Sequence, residues 1–365
     1  MRAIAVVPKA KNSAHIVDVA IPSIHEDSVL VKINLVGLNG TDKEIDEGLY
    51  GEAPQGEGLL IFGHESIGKV VDTGTNVKLL KPGDTVVATV RRPDGCINCQ
   101  AGEYDMCLYG GYTERGIKGR HGFLCEYYVE QEDYLVKVPA ELGELAVLLE
   151  PTSIAEKAIR TAFSVQKRMT WKPKTAMVTG TGTLGIITAM LLRIRGLDVI
   201  SVDRSDDEYK AEIFSLIEVT HFNTGKIKFH NIAKEVGRQI DLIIEETGSS
   251  SVALHAMMIA GTNGVVVLTS ITGGDKKIEI CADCLNQGLV LGNKTIVGTV
   301  NAHRQDFERG VQDLIAVQKR WPGLLAKLIT ARYPPQDIRK ALSSLRDKEN
   351  IKVVIDFSMK NETES

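Results

Sequence analysis

The sequence predicts an α/β protein of two domains, a β-rich domain followed by a doubly wound parallel-sheet domain. Three observations carry this. Up to about residue 150 the chain consists of short alternating strands separated by turns. At Glu150-Pro151 the texture changes, and unalternated apolar strands begin to alternate with helical segments. Strands of that kind lie in a parallel sheet covered on both faces. The predicted boundaries are 1–155 for the β-rich domain and 156–300 for the α/β domain, with 301–365 returning to the first.

The elements follow in order. Residues 1–8 hold one basic residue and a short apolar stretch, without the apolar core and cleavage site of a secretion signal, and are expected to form the first strand. Strands are predicted at 29–33 and 69–71, and a turn followed by a strand over 81–87. Residues 153–166 place Ile154, Ala158, Ala162 and Val165 at helical spacing. A strand at 175–179, a helix at 184–195 and a second strand at 199–203 come next. Further strands are expected at 241–245, 264–268 and 295–299. A helix over 307–318 and a strand over 352–356 close the chain. The polar residues 359–365 are expected to fray. The sequence contains no internal repeat and no low-complexity segment.

A chain of 365 residues exceeds one ordinary domain. Its 43% hydrophobic and 25% charged residues are those of a globular protein. A net charge of -4 argues against a nucleic-acid partner, and no apolar run is long enough to span a membrane. The cytoplasm is the expected location. In that compartment six cysteines are expected as metal ligands or buried thiols rather than disulfides.

Gly180-x-Gly182-x-x-Gly185 follows a predicted strand and opens a predicted helix. The first glycine permits a tight turn, the second lets a pyrophosphate approach the backbone, and the third lets helix pack on strand. The free N–H groups of the helix start would face the phosphates. Thr183 and Leu184 in the first helical turn, and Thr247 beyond the strand at 241–245, are further candidate cofactor contacts. Asp203 ends the next strand, where a carboxylate accepts from ribose hydroxyls and favours NAD. Its neighbour Arg204 could pair with a 2′-phosphate, which favours NADP. The two pull in opposite directions, so dual use or a preference for NAD is expected.

Cys96-x-x-Cys99 and Cys107 can hold a tetrahedral zinc, with Asp94 as the nearest fourth ligand. Cys281-x-x-Cys284 has no further Cys or His nearby and is expected to be a pair of ordinary thiols. A second, catalytic zinc would need three protein ligands and an open position. Asn39, His64, Glu65 and Glu150 are the candidates. Zinc there would lower the pKa of a substrate hydroxyl, whose alkoxide form expels hydride to a nicotinamide. Thr41 is placed by sequence to pass the proton on.

Gly37-Leu38-Asn39-Gly40-Thr41-Asp42 and Gly63-His64-Glu65 resemble two segments of the zinc-containing medium-chain dehydrogenase/reductase superfamily. The pair Arg91-Arg92 before the cysteines, and the stretch Thr113-Glu114-Arg115-Gly116-Ile117 with His121-Gly122-Phe123 after them, are similar to the archaeal-type glucose 1-dehydrogenases. Glu150-Pro151 and Val300-Asn301 match as well, and the resemblance runs from residue 1 to about 357. It implies a GroES-like catalytic domain, a Rossmann dinucleotide domain, zinc, NAD or NADP, and oxidation of an aldose at C1. It implies sugar contacts at Glu114, His121, Glu150 and Asn301, with Asn301 also near the nicotinamide and Asn39 at the sugar or the metal. It further implies a homodimer or homotetramer, paired through the strand near 295–300.

Three departures stand out. Asn39 occupies the usual place of a cysteine, and an amide oxygen is a weak zinc ligand beside a thiolate. The lobe has three cysteines where some members have four. Ile154 stands where some members carry a sugar-binding aspartate. Three other activities compete with glucose or galactose oxidation: a polyol or alcohol dehydrogenase, a zinc-free NADPH reductase, and a nucleotide-binding protein without catalysis.

Overall fold

The computed structural model describes residues 1–204, 207–271, 273 and 275–359. The chain divides into two compact units. The first comprises Met1–Ser153, Asn301–Ile315 and the chain from Gly323 onward. The second comprises Ile154–Val300 and Ala316–Pro322. Residues 316–322, expected with the returning segment, group with the second unit, where Arg320 donates to the Arg193 carbonyl at 3.1 Å. Of the tail expected to fray, residues 360–365 lie outside those described.

In the first unit the central element is the long strand Ser28–Leu38. It pairs antiparallel with Glu65–Thr73, Tyr127–Gln131 and Lys352–Asp356. Three neighbours can share one strand because its alternating residues pack on one face while its backbone is hydrogen-bonded along both edges. The returning strand Lys352–Asp356 is as the sequence predicts. Its parallel neighbour Ile329–Tyr333 was not foreseen. That strand is half-exposed and carries Thr330 and Arg332, so its local hydrophobic signal is weak. The core beneath the sheets gathers Ile4, Val31, Val36, Ile45, Phe62, Leu124 and Val353, all nearly inaccessible.

The register also places the site. Gly37 faces Glu65 across the pair. A Cβ on Gly37 would lie 2.1 Å from Glu65 Oε2, so only glycine leaves room for that carboxylate.

The second unit is a six-stranded parallel sheet. Its spatial order is Thr220–Asn223, Asp198–Asp203, Thr175–Thr179, Leu242–Glu245, Val265–Leu268 and Thr295–Gly298. That is the doubly wound order of dinucleotide-binding sheets. The strand Thr220–Asn223 escaped sequence reasoning because it is a short, polar edge strand. Met177, Ile200, Ile243 and Val266 fill the core. Among the described residues, no helix is long and apolar enough to cross a membrane.

Candidate active site

Asn39 begins the site by starting a helix. Its Oδ1 accepts from Thr41 N at 2.8 Å, and Asp42 Oδ2 accepts from Asn39 N at 2.9 Å, a reciprocal capping box at the head of Gly40–Asp46. The cap points the Asn39 amide nitrogen inward, where it lies 2.9 Å from His64 Nε2 and donates to Glu65 Oε1 at 2.8 Å. Asn39 Oδ1, the atom expected as a ligand, thus accepts from the helix cap, and it is the amide nitrogen that faces His64. Thr41 is half-buried in the first turn, with its N–H on that same oxygen.

His64 leaves the turn at Gly63, which has φ +83° and whose added Cβ would strike Leu124 at 2.6 Å. Donor atoms of His64, Glu65 and Glu150 lie within 4.8 Å of one another, and all three side chains are buried. Glu150 reaches the cluster from the first turn of the helix Leu149–Val165. His64 Nδ1 faces Asp42 Oδ1 at 3.5 Å, and neither atom has a closer hydrogen-bond partner. Lys352, 1% exposed, donates to Glu65 Oε2 at 2.5 Å and to the Leu38 carbonyl at 3.3 Å. Sequence reasoning missed Asp42 and Lys352. The capping-box spacing from Asn39 was a signal for the first, and nothing local marked the second.

Charge is crowded here. Burial works to lower the His64 pKa, but Asp42, Glu150 and Glu65 outweigh it and raise the group to about 9. Burial pushes Glu150 up to about 7, with the His64 charge opposing and Glu65 adding to the rise. Buried carboxylates beside an imidazole form a donor set suited to a divalent cation. The residues present therefore fit zinc. Glu150 is the readiest ligand, because both Glu65 oxygens are already hydrogen-bonded and His64 Nε2 lies against the Asn39 amide nitrogen.

The cysteine lobe meets the same test. Asp94, Cys96, Cys99 and Cys107 bring ligand atoms within 4.8 Å of each other. Cys107 Sγ donates to Asp94 Oδ2 at 3.0 Å, and Cys96 N to Asp94 Oδ1 at 2.9 Å. These contacts hold the Asp94 carboxyl well below its usual range, while burial pushes Cys99 up to about 12. Three sulfurs and a carboxylate fit a closed structural zinc.

Cys281 and Cys284 differ from expectation: they form a disulfide. Cys281 caps the helix Ala282–Leu291, and the first turn brings the two Cα atoms to 5.3 Å. That separation lies within bridging range.

Glu114 is buried, and its Oε1 accepts from Arg91 Nε at 3.1 Å, Arg91 Nη2 at 3.0 Å and Asn301 Nδ2 at 2.9 Å. The antiparallel pairing of Arg91 with Glu114 sets this up. His121 was expected at the sugar, but both its ring nitrogens are engaged elsewhere. Nδ1 accepts from Ile61 N at 3.2 Å and Nε2 lies 2.7 Å from Glu57 Oε2. It clasps two loops rather than presenting a free group.

In the second unit, Gly180 has φ +98° and Gly182 caps the helix Thr183–Ile194. A Cβ on Gly185 would sit 2.1 Å from the Gly180 carbonyl oxygen. A cavity of about 480 Å3 opens there, lined by Gly180, Gly182, Asp203, Arg204, Thr247 and Lys276, among others. Thr183 and Leu184 are half-buried in the first helical turn beside it. Asp203 accepts from Thr181 Oγ1 and from Arg204 N. Glu246, which sequence reasoning passed over, lines the same cavity, and burial raises its pKa to about 8.

Known proteins resemble this chain over nearly its whole length. The glucose dehydrogenase C-terminus family matches residues 143–357, and the alcohol dehydrogenase GroES-like domain matches 25–140. A glucose 1-dehydrogenase of Methanocella arvoryzae is 42% identical over 98% of this chain and 99% of its own. One from Thermoproteus tenax is 36% identical over 97% of this chain and 99% of its own. The solved Haloferax mediterranei glucose dehydrogenase, in complex with NADP, Zn and gluconolactone, is 32% identical. It superposes with a TM-score of 0.89 over 99% of this chain and all of that one. The chain belongs to the archaeal-type glucose 1-dehydrogenases of the zinc-containing medium-chain dehydrogenase/reductase superfamily.

Proposed function

We propose that this protein oxidises D-glucose at C1 to the lactone, with NAD or NADP as hydride acceptor and zinc at the His64 cluster. One observation supports it above the others: a buried His64–Glu65–Glu150 donor set in a chain matched over nearly its whole length by glucose dehydrogenases. Zinc, when bound, supplies a Lewis acid that lowers the pKa of the C1 hydroxyl. The remaining work falls to side chains. Asp42 orients the His64 ring through Nδ1, as a carboxylate behind a metal-bound histidine does. Lys352 balances the charge of Glu65. Glu114, held through one oxygen, offers the other to a sugar hydroxyl, and Asn301 keeps it in place. Thr41 is the candidate carrier of the released proton. A pocket that hydrogen-bonds several hydroxyls discriminates among sugars far better than an apolar one. Galactose is a second candidate substrate on the same chemistry.

Asp203 and Arg204 both line the nucleotide cavity, which supports use of either cofactor. Among the described residues the edge strand Thr295–Gly298 pairs on one side alone, and Val290, Leu291 and Val300 nearby are at least half exposed. We infer that a second copy covers this edge, in a homodimer or homotetramer acting in the cytoplasm.

The test is initial rates on D-glucose, galactose, xylose and a simple alcohol, each with NAD and NADP, with and without zinc. Sugar-dependent reduction that rises with zinc is the expected result. Turnover of the alcohol but of no sugar would refute it, as would nucleotide binding without any turnover.

A further inference from the structure

Glu114 does not stand alone. Arg91, 2% exposed, uses Nε and Nη2 on Glu114 Oε1 and sends Nη1 to the Asp105 carbonyl at 3.3 Å. Its guanidinium carbon lies 3.7 Å from the Tyr112 ring centroid, which blocks a swing in that direction. Asp105 belongs to the turn Tyr104–Met106, directly before Cys107. The second support of Glu114 is tied to the same lobe. Two residues after Asn301, His303 donates from Nε2 to the Gly102 carbonyl at 2.6 Å. The donor is settled by the other nitrogen, since Nδ1 accepts from Gln305 N at 3.1 Å. The His303 ring also stacks on Tyr104, with centroids 5.3 Å apart. Both carbonyls, of Gly102 and Asp105, lie within the Cys96–Cys107 loop, whose three cysteines gather with Asp94 within 4.8 Å of one another.

We propose that the cysteine lobe positions the sugar-contacting carboxylate, with Arg91 and His303 as the positioning residues that carry its shape to Glu114. The lobe is then a determinant of sugar affinity as well as of stability. Two independent arms meet at one oxygen, Glu114 Oε1, while among the described residues none bonds Oε2, which is left for the ligand. Arg91 suits this role because its planar fork serves the carboxylate and the lobe carbonyl at once, which a lysine cannot do.

The inference rests on Glu114 touching the sugar, and the experiment separates the two. Arg91→Lys, His303→Phe and Glu114→Gln are compared by kcat, KM for glucose, KM for the nucleotide, and zinc per chain. His303→Phe keeps the stack on Tyr104 and removes the bond to Gly102, so it serves where Arg91→Lys fails to fold. The expected result is a glucose KM raised about tenfold in both positioning variants, the loss of roughly one hydrogen bond. The kcat stays within about twofold, and nucleotide KM and zinc content stay unchanged. A merely structural role would lower the active fraction and leave the glucose KM alone. An unchanged glucose KM in Arg91→Lys and His303→Phe, beside a raised one in Glu114→Gln, overturns the coupling only. An unchanged KM in Glu114→Gln overturns the sugar contact and the coupling with it.

Discussion

Replacing Lys352 with methionine keeps the volume of the side chain and removes its charge. The residue is 1% exposed, and its ammonium is shared between Glu65 Oε2 and the Leu38 carbonyl. Around it lie three buried acids, Asp42, Glu65 and Glu150, and one imidazole. Removing one partner of a buried pair costs about 3–5 kcal/mol, because the other charge stays behind uncompensated. At roughly 2–4 °C per kcal/mol for a unit of this size, the metal-free variant should melt about 6–20 °C below the parent. A bound dication replaces the missing positive charge, so saturating zinc should recover much of that loss. Thermal melts followed by circular dichroism, with chelator and with zinc, measure both quantities. A metal-free loss below about 1 kcal/mol would refute the idea that Lys352 carries the charge balance. So would a loss that zinc leaves untouched.

Other outcomes follow from the same geometry. His64→Ala should abolish turnover while nucleotide binding, measured by fluorescence titration, stays nearly unchanged; retained activity would remove His64 from the metal. Zinc uptake should strengthen between pH 6 and 9, because it must displace protons from His64, raised to about 9, and Glu150, raised to about 7. Calorimetry in two buffers of different ionisation enthalpy should then show proton release, and a pH-independent affinity would contradict it. Both shifts are upward, so the stability they give the metal-free fold is complete below the ordinary pKa of each group. It is lost as pH rises through about 7 for Glu150 and about 9 for His64. Melts of the chelated protein from pH 5 to 9 check the sign. Asp203→Ala should move cofactor preference toward NADP by about tenfold, since it removes a charge that repels a 2′-phosphate, and the ratio of kcat/KM values reads this directly. Denatured, metal-free protein should titrate four thiols without reductant, and two more once the Cys281–Cys284 bridge is reduced.

Much of the framework was legible because its signals are local. The glycine pattern at 180–185 lies between a strand and a helix in the sequence as it does in space. The cysteines at 96, 99 and 107 need only one loop to converge. The apolar runs of the parallel sheet declared themselves through composition, whereas the short polar edge strand Thr220–Asn223 went unread, as did Tyr127–Gln131 and the half-exposed Ile329–Tyr333 among the strands of the first unit. Asn39 shows where such reasoning ends. Its residue type was visible, but whether oxygen or nitrogen faces His64 depends on a helix cap that competes for the same amide.

From the sequence alone came the two-domain α/β class, the nucleotide turn, the cysteine lobe and the residues His64, Glu65 and Glu150. Tertiary structure alone decided how those residues are held. Lys352 reaches Glu65 across 287 positions, and Asn301 reaches Glu114 across 187. His121 meets Glu57, 64 positions off. Pairings at such separations depend on sheet register and on which charges burial forces together. Neither leaves a periodic or neighbouring mark in the chain.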